Sequence, residues 1–302
     1  MNNDRIPLKI ESISELHNML HLPKPRHPLL SFVETCEMDV EDNHKLFFTM
    51  GFYGISYKES IDGKMGYGQG YYDFDEGGMM FTAPNQIISS DPDTKYKGFV
   101  IFMHPDFIRN YSLGKNIKKY GFFSYDTNEA LHLSESEKNI ILGLFKNIDN
   151  ELNTAIDETS QDVLVSYIDV LLNYSQRFYR RQFITRKAVN HDLLFRTEQL
   201  LDDYLNDNKG LNAGLLTVEY LASQVNLSPR YLSDMLRAIT GQNAQQFIHE
   251  KLIEKAKEYL STTNFSVSEI AYVLGFEYPQ SFNKLFKKKT NITPLEFRAS
   301  FN

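Results

Sequence analysis

The C-terminal third of the chain carries one apolar pattern twice. Val218, Leu221, Ala222, Val225 and Leu227 recur as Val267, Ile270, Ala271, Leu274 and Phe276, at a constant offset of 49. Leu232, Leu236, Gly241 and Phe247 recur as Phe282, Phe286, Asn291 and Phe297, at an offset of 50. The single-residue change falls around Glu277 and Tyr278. A pattern that holds its spacing through two copies restricts this region to a repeated element of fixed length. In each copy the spacing predicts a short helix, a tight turn and a second helix. A helix-turn-helix unit of this kind has its second helix shaped for the major groove of DNA.

Helix-end chemistry places the two units at 217–240 and 266–290. Thr217 caps a scaffold helix running to Val225, and Asn226-Leu227 is the turn. Ser228 is the next N-cap, with Pro229 at the first helical position, where its missing N–H costs nothing. That helix runs to Thr240, and Gly241 supplies the C-cap. In the second unit Ser266-x-x-Glu269 is a capping box, Gly275 permits the sharp turn, and a helix runs from about Pro279 to Thr290. A helix over Ala244–Ser261 joins the units, with Phe247, Ile248, Leu252, Ala256 and Leu260 on its apolar face. At ~1.5 Å per residue it is roughly 27 Å long. With the width of the flanking units, this sets the second helices about one DNA turn, ~34 Å, apart. One chain then reads two successive major grooves.

With the apolar positions inward, the first unit presents Arg230, Ser233, Asp234 and Arg237 on its outer face. The second presents Gln280, Asn283, Lys284 and Lys287, with Lys288 and Lys289 beside them. Gln or Asn grips adenine with two hydrogen bonds, and Lys donates to guanine. The lysine run suits phosphates. Its other reading is a solvated helix C-terminus favoured by the helix dipole.

Charge supports the assignment only at this end. The whole chain of 302 residues has a net charge of -7, which argues against non-specific coating of nucleic acid. From Lys209 onward 11 Lys/Arg stand against 8 Asp/Glu, so this part is +3 and the remainder -10. The length allows two domains. Cys36 is the only cysteine, which excludes an internal disulfide and a cysteine-built zinc site. The N-terminus lacks a basic stretch followed by an apolar one, and no run approaches the ~20 apolar residues of a membrane span. A cytoplasmic protein with no membrane partner is expected.

From about Pro28 to Phe102 the pattern is β. Candidate strands are Leu29–Val33, Lys45–Tyr57, Tyr67–Phe74, Met79–Thr82 and Gly98–Phe102, separated by turn signals such as Asp62-Gly63 and Pro84-Asn85. Their number and spacing predict a sandwich or small barrel. The aromatic load (Phe47, Phe48, Phe52, Tyr53, Tyr57, Tyr67, Tyr71, Tyr72, Phe74) reads first as core packing and second as the lining of a ligand cavity. Ser134-x-x-Glu137 then caps a helix through Leu152, and a second amphipathic run spans Val163 to Phe178. These two helices either form a dimer seam or pack on the β domain. The domain boundaries read as 1–183, a linker at 184–191, and 192–302, the last opening on a helix over Asp192–Leu205.

The stretch from Ser266 to Arg298, including Ile270-Ala-Tyr-Val-Leu-Gly-Phe276 and Pro279-Gln-Ser-Phe-Asn-Lys-Leu-Phe286, resembles the signature of the AraC/XylS family of bacterial transcription regulators. The likeness covers about 100 residues. It implies base contacts from Gln280, Asn283 and Lys284 in the second unit, and from Arg230, Ser233 and Asp234 in the first. Asp234 is a departure, because a basic residue stands there in the best-known members. An Asp is unfavourable near phosphates. It either accepts from a cytosine amino group or caps a neighbour. The region ending in Gly78-Met-Met-Phe-Thr-Ala-Pro-Asn85 resembles, more loosely, the family's cupin-like sensor barrel. Leu22–Pro28, with Lys24, Arg26 and His27, corresponds to the arm near its pocket mouth.

The implied architecture is α+β: an N-terminal cupin-like β-barrel with dimerisation helices, then an all-α double helix-turn-helix domain. The implied function is a transcription regulator, an activator by the family resemblance, acting as a homodimer on double-stranded DNA, with RNA polymerase as a further partner. A small-molecule effector acting through the barrel is favoured by the Gly66–Gly78 segment. The alternative is a ligand-independent regulator whose N-terminal domain only dimerises or docks a partner protein. A metal-dependent cupin enzyme is the remote alternative. It needs clustered histidines with a carboxylate, yet the strand region has only His44, and His104 reads as a turn residue. DNA-repair acceptor chemistry needs reactive cysteines that Cys36 alone cannot supply. No catalytic residue, metal ligand or cofactor is expected, and no effector-binding residue is assigned.

Overall fold

The computed structural model describes residues 7–37, 46–62, 78–90, 95–126, 129–154, 157–185, 187–207 and 210–301. The chain divides into two compact units, Met1–Gln182 and Phe183–Asn302.

The first unit begins with β1 (Leu8–Ile10) and α1 (Ile13–Met19), followed by β2 (Leu30–Glu34), β3 (Leu46–Met50), β4 (Tyr53–Asp62), β5 (Gly78–Thr82), β6 (Ile87–Ser90) and β7 (Lys95–Met103). After a short α2 (Ser112–Asn116) and β8 (Leu131–His132) come α3 (Glu135–Asn153) and α4 (Ser160–Thr185). Among the described residues the strands form two sheets and not the closed barrel expected. One has the order β2-β7-β4-β5-β8 with every pair antiparallel. The other has the order β1-β3-β6, in which β1 runs parallel to β3. The expected strand Lys45–Tyr57 is two strands in different sheets, because the chain bends at Gly51-Phe52. The Gly66–Gly78 segment and the strand Tyr67–Phe74 lie outside the described residues, apart from Gly78.

The five-stranded sheet is covered on both faces, and strand alternation decides which side chain serves which face. Val33, Val100 and Phe102 join Ile10, Ile13, Leu16, Met50 and Phe52 in one buried cluster toward the smaller sheet. The alternate residues Phe32, Tyr57 and Phe99 meet Phe145 of α3, and Phe81 meets Tyr179 of α4. The described strand aromatics thus mostly serve the core. Phe47 is the exception, exposed on the outer face of the small sheet.

Both long helices pack on this sheet. The Ser134–Glu137 capping box forms as expected. Glu137 accepts from the Ser134 N–H and from Arg181 Nη2, each at 2.8 Å. An edge strand leaves backbone groups that need partners, and α4 supplies them for β8. Gln182 accepts from the His132 N–H at 2.8 Å and donates to Ala130 O, while Arg181 donates to His132 O at 2.7 Å.

The second unit is helical: α5 (Lys187–Asn206), α6 (Gly210–Ala213), α7 (Val218–Gln224), α8 (Pro229–Thr240), α9 (Ala244–Thr262), α10 (Val267–Val273), α11 (Pro279–Thr290) and α12 (Pro294–Ala299). The stretch 184–191, expected as a linker, is helical through Thr185 and again from Lys187. Asn190 is buried there and donates to Phe183 O at 2.6 Å.

Candidate nucleic-acid interface

The sequence repeat is a repeat of hydrogen bonds. Scaffold helices α7 and α10 are each 7 residues long, and the following helices α8 and α11 are each 12. In both turns a backbone N–H reaches back to the scaffold helix: Leu227 to Ala222 O at 3.0 Å, and Phe276 to Ala271 O at 2.9 Å. The extra residue of the second copy sits between that bond and the start of α11. The repeat continues past 217–240 and 266–290 into a third helix, as the recurrence of Phe247 at Phe297 implies. Thr240 and Thr290 bond back to Leu236 O and Phe286 O, Gly241 and Asn291 are both left-handed, and capping boxes at Asn243 and Thr293 open α9 and α12. The unit is therefore three helices repeated, and α12 was missed although Thr293-Pro-Leu-Glu296 carries a capping signature.

The inner faces of α8 and α11 are fixed by burial. Leu232, Met235 and Leu236 are fully buried in the first, and Phe282 and Phe286 in the second, where Phe282 also packs on Phe276 of the turn. On the outer face of α11, Gln280, Asn283, Lys284, Lys287, Lys288 and Lys289 are all exposed. Among the described residues none of these six side chains forms a hydrogen bond or ion pair. Four lysines and no acid lie on that helix. Their field is felt nearby: burial first, then Lys289 and Lys288, push the His249 imidazole of α9 below its usual range.

The outer face of α8 is organised differently. Arg230 and Arg237 are exposed as expected, but Asp234 lies between them and binds both. Its carboxylate accepts from Arg230 Nε at 3.0 Å and from Arg237 Nη1 at 3.3 Å. Ser233 is half-buried, and its hydroxyl accepts the Ala244 N–H at the start of α9 at 3.3 Å. The structure thus brings Arg230, Asp234 and Arg237 together and gives Ser233 a bond that holds α9. Four of the nine expected contact residues lie on α8 and five on α11, one set on each second helix.

Comparison with known proteins points to the same region of the chain. A family model described as a helix-turn-helix domain matches residues 221–300. The arabinose operon regulatory protein of Salmonella typhimurium is 32% identical over 127 residues, 41% of this chain and 43% of that protein. The helical second unit is similar to the DNA-binding region of AraC/XylS-family regulators. Two further AraC/XylS-like matches come from Bacillus subtilis. The uncharacterized HTH-type transcriptional regulator YfiF is 29% identical over 146 residues, 48% of this chain and 43% of that protein. The bifunctional transcriptional activator/DNA repair enzyme AdaA is 33% identical over 99 residues, 33% of this chain and 46% of that protein. The chain spans less than half the length of each of these relatives. On α11 the exposed lysines form no ion pair among the described residues. In α8 the acid at Asp234 is compensated by its own arginines.

Among the described residues no helix is long and apolar enough to cross a membrane, and no group of three His, Cys, Asp or Glu side chains is placed to hold a metal ion. His104 accepts the Asp106 N–H at the start of a short helical turn, the turn role its sequence context predicts.

Proposed function

We propose that this chain is a sequence-selective DNA-binding transcription regulator in which one chain reads two successive major grooves through α8 and α11. The observation that carries this reading is the outer face of α11: amide and ammonium donors stand exposed with no side-chain hydrogen bond or ion pair among the described residues, on a helix whose opposite face is buried aromatic side chain. Base contacts are assigned to Gln280, Asn283 and Lys284 on α11 and to Arg230 on α8. Phosphate contacts are assigned to Lys287, Lys288 and Arg237. Sequencing the genomic fragments that the immobilised full chain retains in the presence of competitor DNA tests this. A shared motif is expected; fragments with no common sequence would overturn the reading.

The net charge of +3 from Lys209 onward favours weak binding by one chain. Occupancy of a site therefore depends on a homodimer, with the first unit as its source. The activator role, with RNA polymerase as partner, follows from the family resemblance. A small-molecule effector is supported by a polar cleft of about 320 Å³ in the first unit, lined by His17, Lys24, Arg26, Ser31 and Asp149 among others. The arm residues Lys24 and Arg26 thus border a cavity. Thermal melting against a metabolite panel separates this from the ligand-independent alternative: an effector raises the melting temperature, and a panel without effect favours a first unit that only dimerises or docks a partner.

A further inference from the structure

Asp234 takes the position where a cation was expected, and its geometry says what it does there. Its side chain is 17% exposed, against 45% for Arg230 and 52% for Arg237. The carboxylate therefore lies low on the helix surface while both guanidinium groups stand above it. The Arg230 contact is made through Nε, at 3.0 Å. An arginine held by Nε keeps both terminal nitrogens for another partner, and that pair of donors is the edge that matches O6 and N7 of guanine. Among the described residues nothing else binds those terminal nitrogens. Arg230 is also the second residue of α8, at the end of a helix-turn-helix second helix that faces base edges. Arg237, two turns on, is bound through Nη1 on the opposite carboxylate oxygen.

We propose that Asp234 is a positioning residue: it fixes the Arg230 guanidinium so that the first helix-turn-helix unit reads a guanine. The inference rests on the DNA-binding reading above and adds the base class and the means of selection. The acid lowers attraction for phosphates in general and, in exchange, removes the freedom of a long side chain that would otherwise sample many contacts. A fixed donor pair discriminates between bases more sharply than a mobile one. The first helix-turn-helix unit is then a weaker binder than the second but a selective one.

The test uses the full chain and duplexes carrying a retained genomic site, with each base pair of the first unit's half replaced in turn. Arg230→Ala identifies the guanine it reads, as the position where discrimination is lost. Asp234→Ala and the isosteric Asp234→Asn are then measured on the same duplexes. The expected result is loss of discrimination at that same base pair by about tenfold, with affinity for unrelated DNA unchanged or increased. Adding Arg230→Ala to Asp234→Ala is expected to cause no further loss of discrimination. A helix that merely lost an ion pair would weaken all duplexes together. If both Asp234 variants keep full discrimination at the Arg230 position, or lose affinity equally for every duplex, the positioning role is wrong while the DNA-binding reading stands. If the wild-type chain does not discriminate among duplexes at all, both fall.

Discussion

Asn226 and Gly275 hold the same left-handed position in the two turns, at φ 56° and 89°. Each sits one residue before the N–H that closes its turn onto Ala222 O or Ala271 O. Asn tolerates this conformation better than other residues with a side chain, and Gly meets no steric penalty there. The two turns nevertheless differ in surroundings. A Cβ at Gly275 would lie 2.2 Å from Gly214 O, which is backbone and has no rotamer to move to. Asn226→Gly is therefore expected to leave stability nearly unchanged, and Asn226→Ala to cost about 1 kcal/mol. Gly275→Ala is expected to cost about 3 kcal/mol. Amide hydrogen exchange of α7 and α10 reads each change in the unit where it acts.

In the first unit the Glu137–Arg181 contact ties the start of α3 to the end of α4. Glu137 is buried, and its Oε2 accepts from both Arg181 Nη2 and the Ser134 N–H. Glu137→Ala strands a half-buried guanidinium and removes a helix cap. It is expected to destabilise the first unit by about 3 kcal/mol. Urea denaturation followed by hydrogen exchange in β8 and α4 checks it. The effect is expected to be absent from α7 through α12.

Lys58 gives the first unit a pH dependence of definite sign. It lies on β4, on the face shared with Ser56 and Val100 that looks toward the smaller sheet. Burial pushes its pKa down to about 7, from the ordinary 10.5. Between those values the unfolded chain binds a proton that the folded chain does not, so stability rises with pH across this window. Below pH 7 both states are protonated and the full cost of the buried charge is present. The melting temperature of the first unit is expected to rise from pH 7 to pH 10, and Lys58→Met to flatten that rise. A wild-type curve that falls over this range would contradict the assignment.

On α11, the proposed base and phosphate contacts are separable by salt dependence. Lys284→Ala is expected to cost ~1–3 kcal/mol at one base position and to relax selectivity there. Lys287→Ala or Lys288→Ala is expected to weaken every sequence alike and to lower the slope of log affinity against log salt by about one. Binding titrations at several salt concentrations, on cognate and substituted duplexes, distinguish the two outcomes.

The helical unit was legible in the sequence because its signals are local. Apolar spacing, Ser228-Pro229, the Ser266–Glu269 box and the glycines at 241 and 275 each act within a few residues, and each forms as read. The strands missed in the first unit are short and paired far along the chain. β1 has three residues, β6 four and β8 two, and their partners β3 and β5 supply the stabilising contacts. Alternation within three residues carries too little pattern to register. The division of strands into two sheets depends on Phe52 and Phe102 packing edge to face across the bend after β3, a long-range contact. The candidate interface was legible as a list of outward residues. What Asp234 does there was not, because an acid with arginines at i−4 and i+3 is an ordinary helix-surface pattern until the atoms that make each bond are known.

Under the proposed function, the two helix-turn-helix units of one chain read adjacent major grooves. Chemical footprinting of guanine N7 and phosphate positions on a retained genomic site tests it most directly. Two protected blocks per chain are expected, on one face of the duplex and about 10–10.5 base pairs apart. One block is expected to disappear in Arg230→Ala and the other in Lys284→Ala. A single protected block per chain, or two blocks that both survive either substitution, would contradict it.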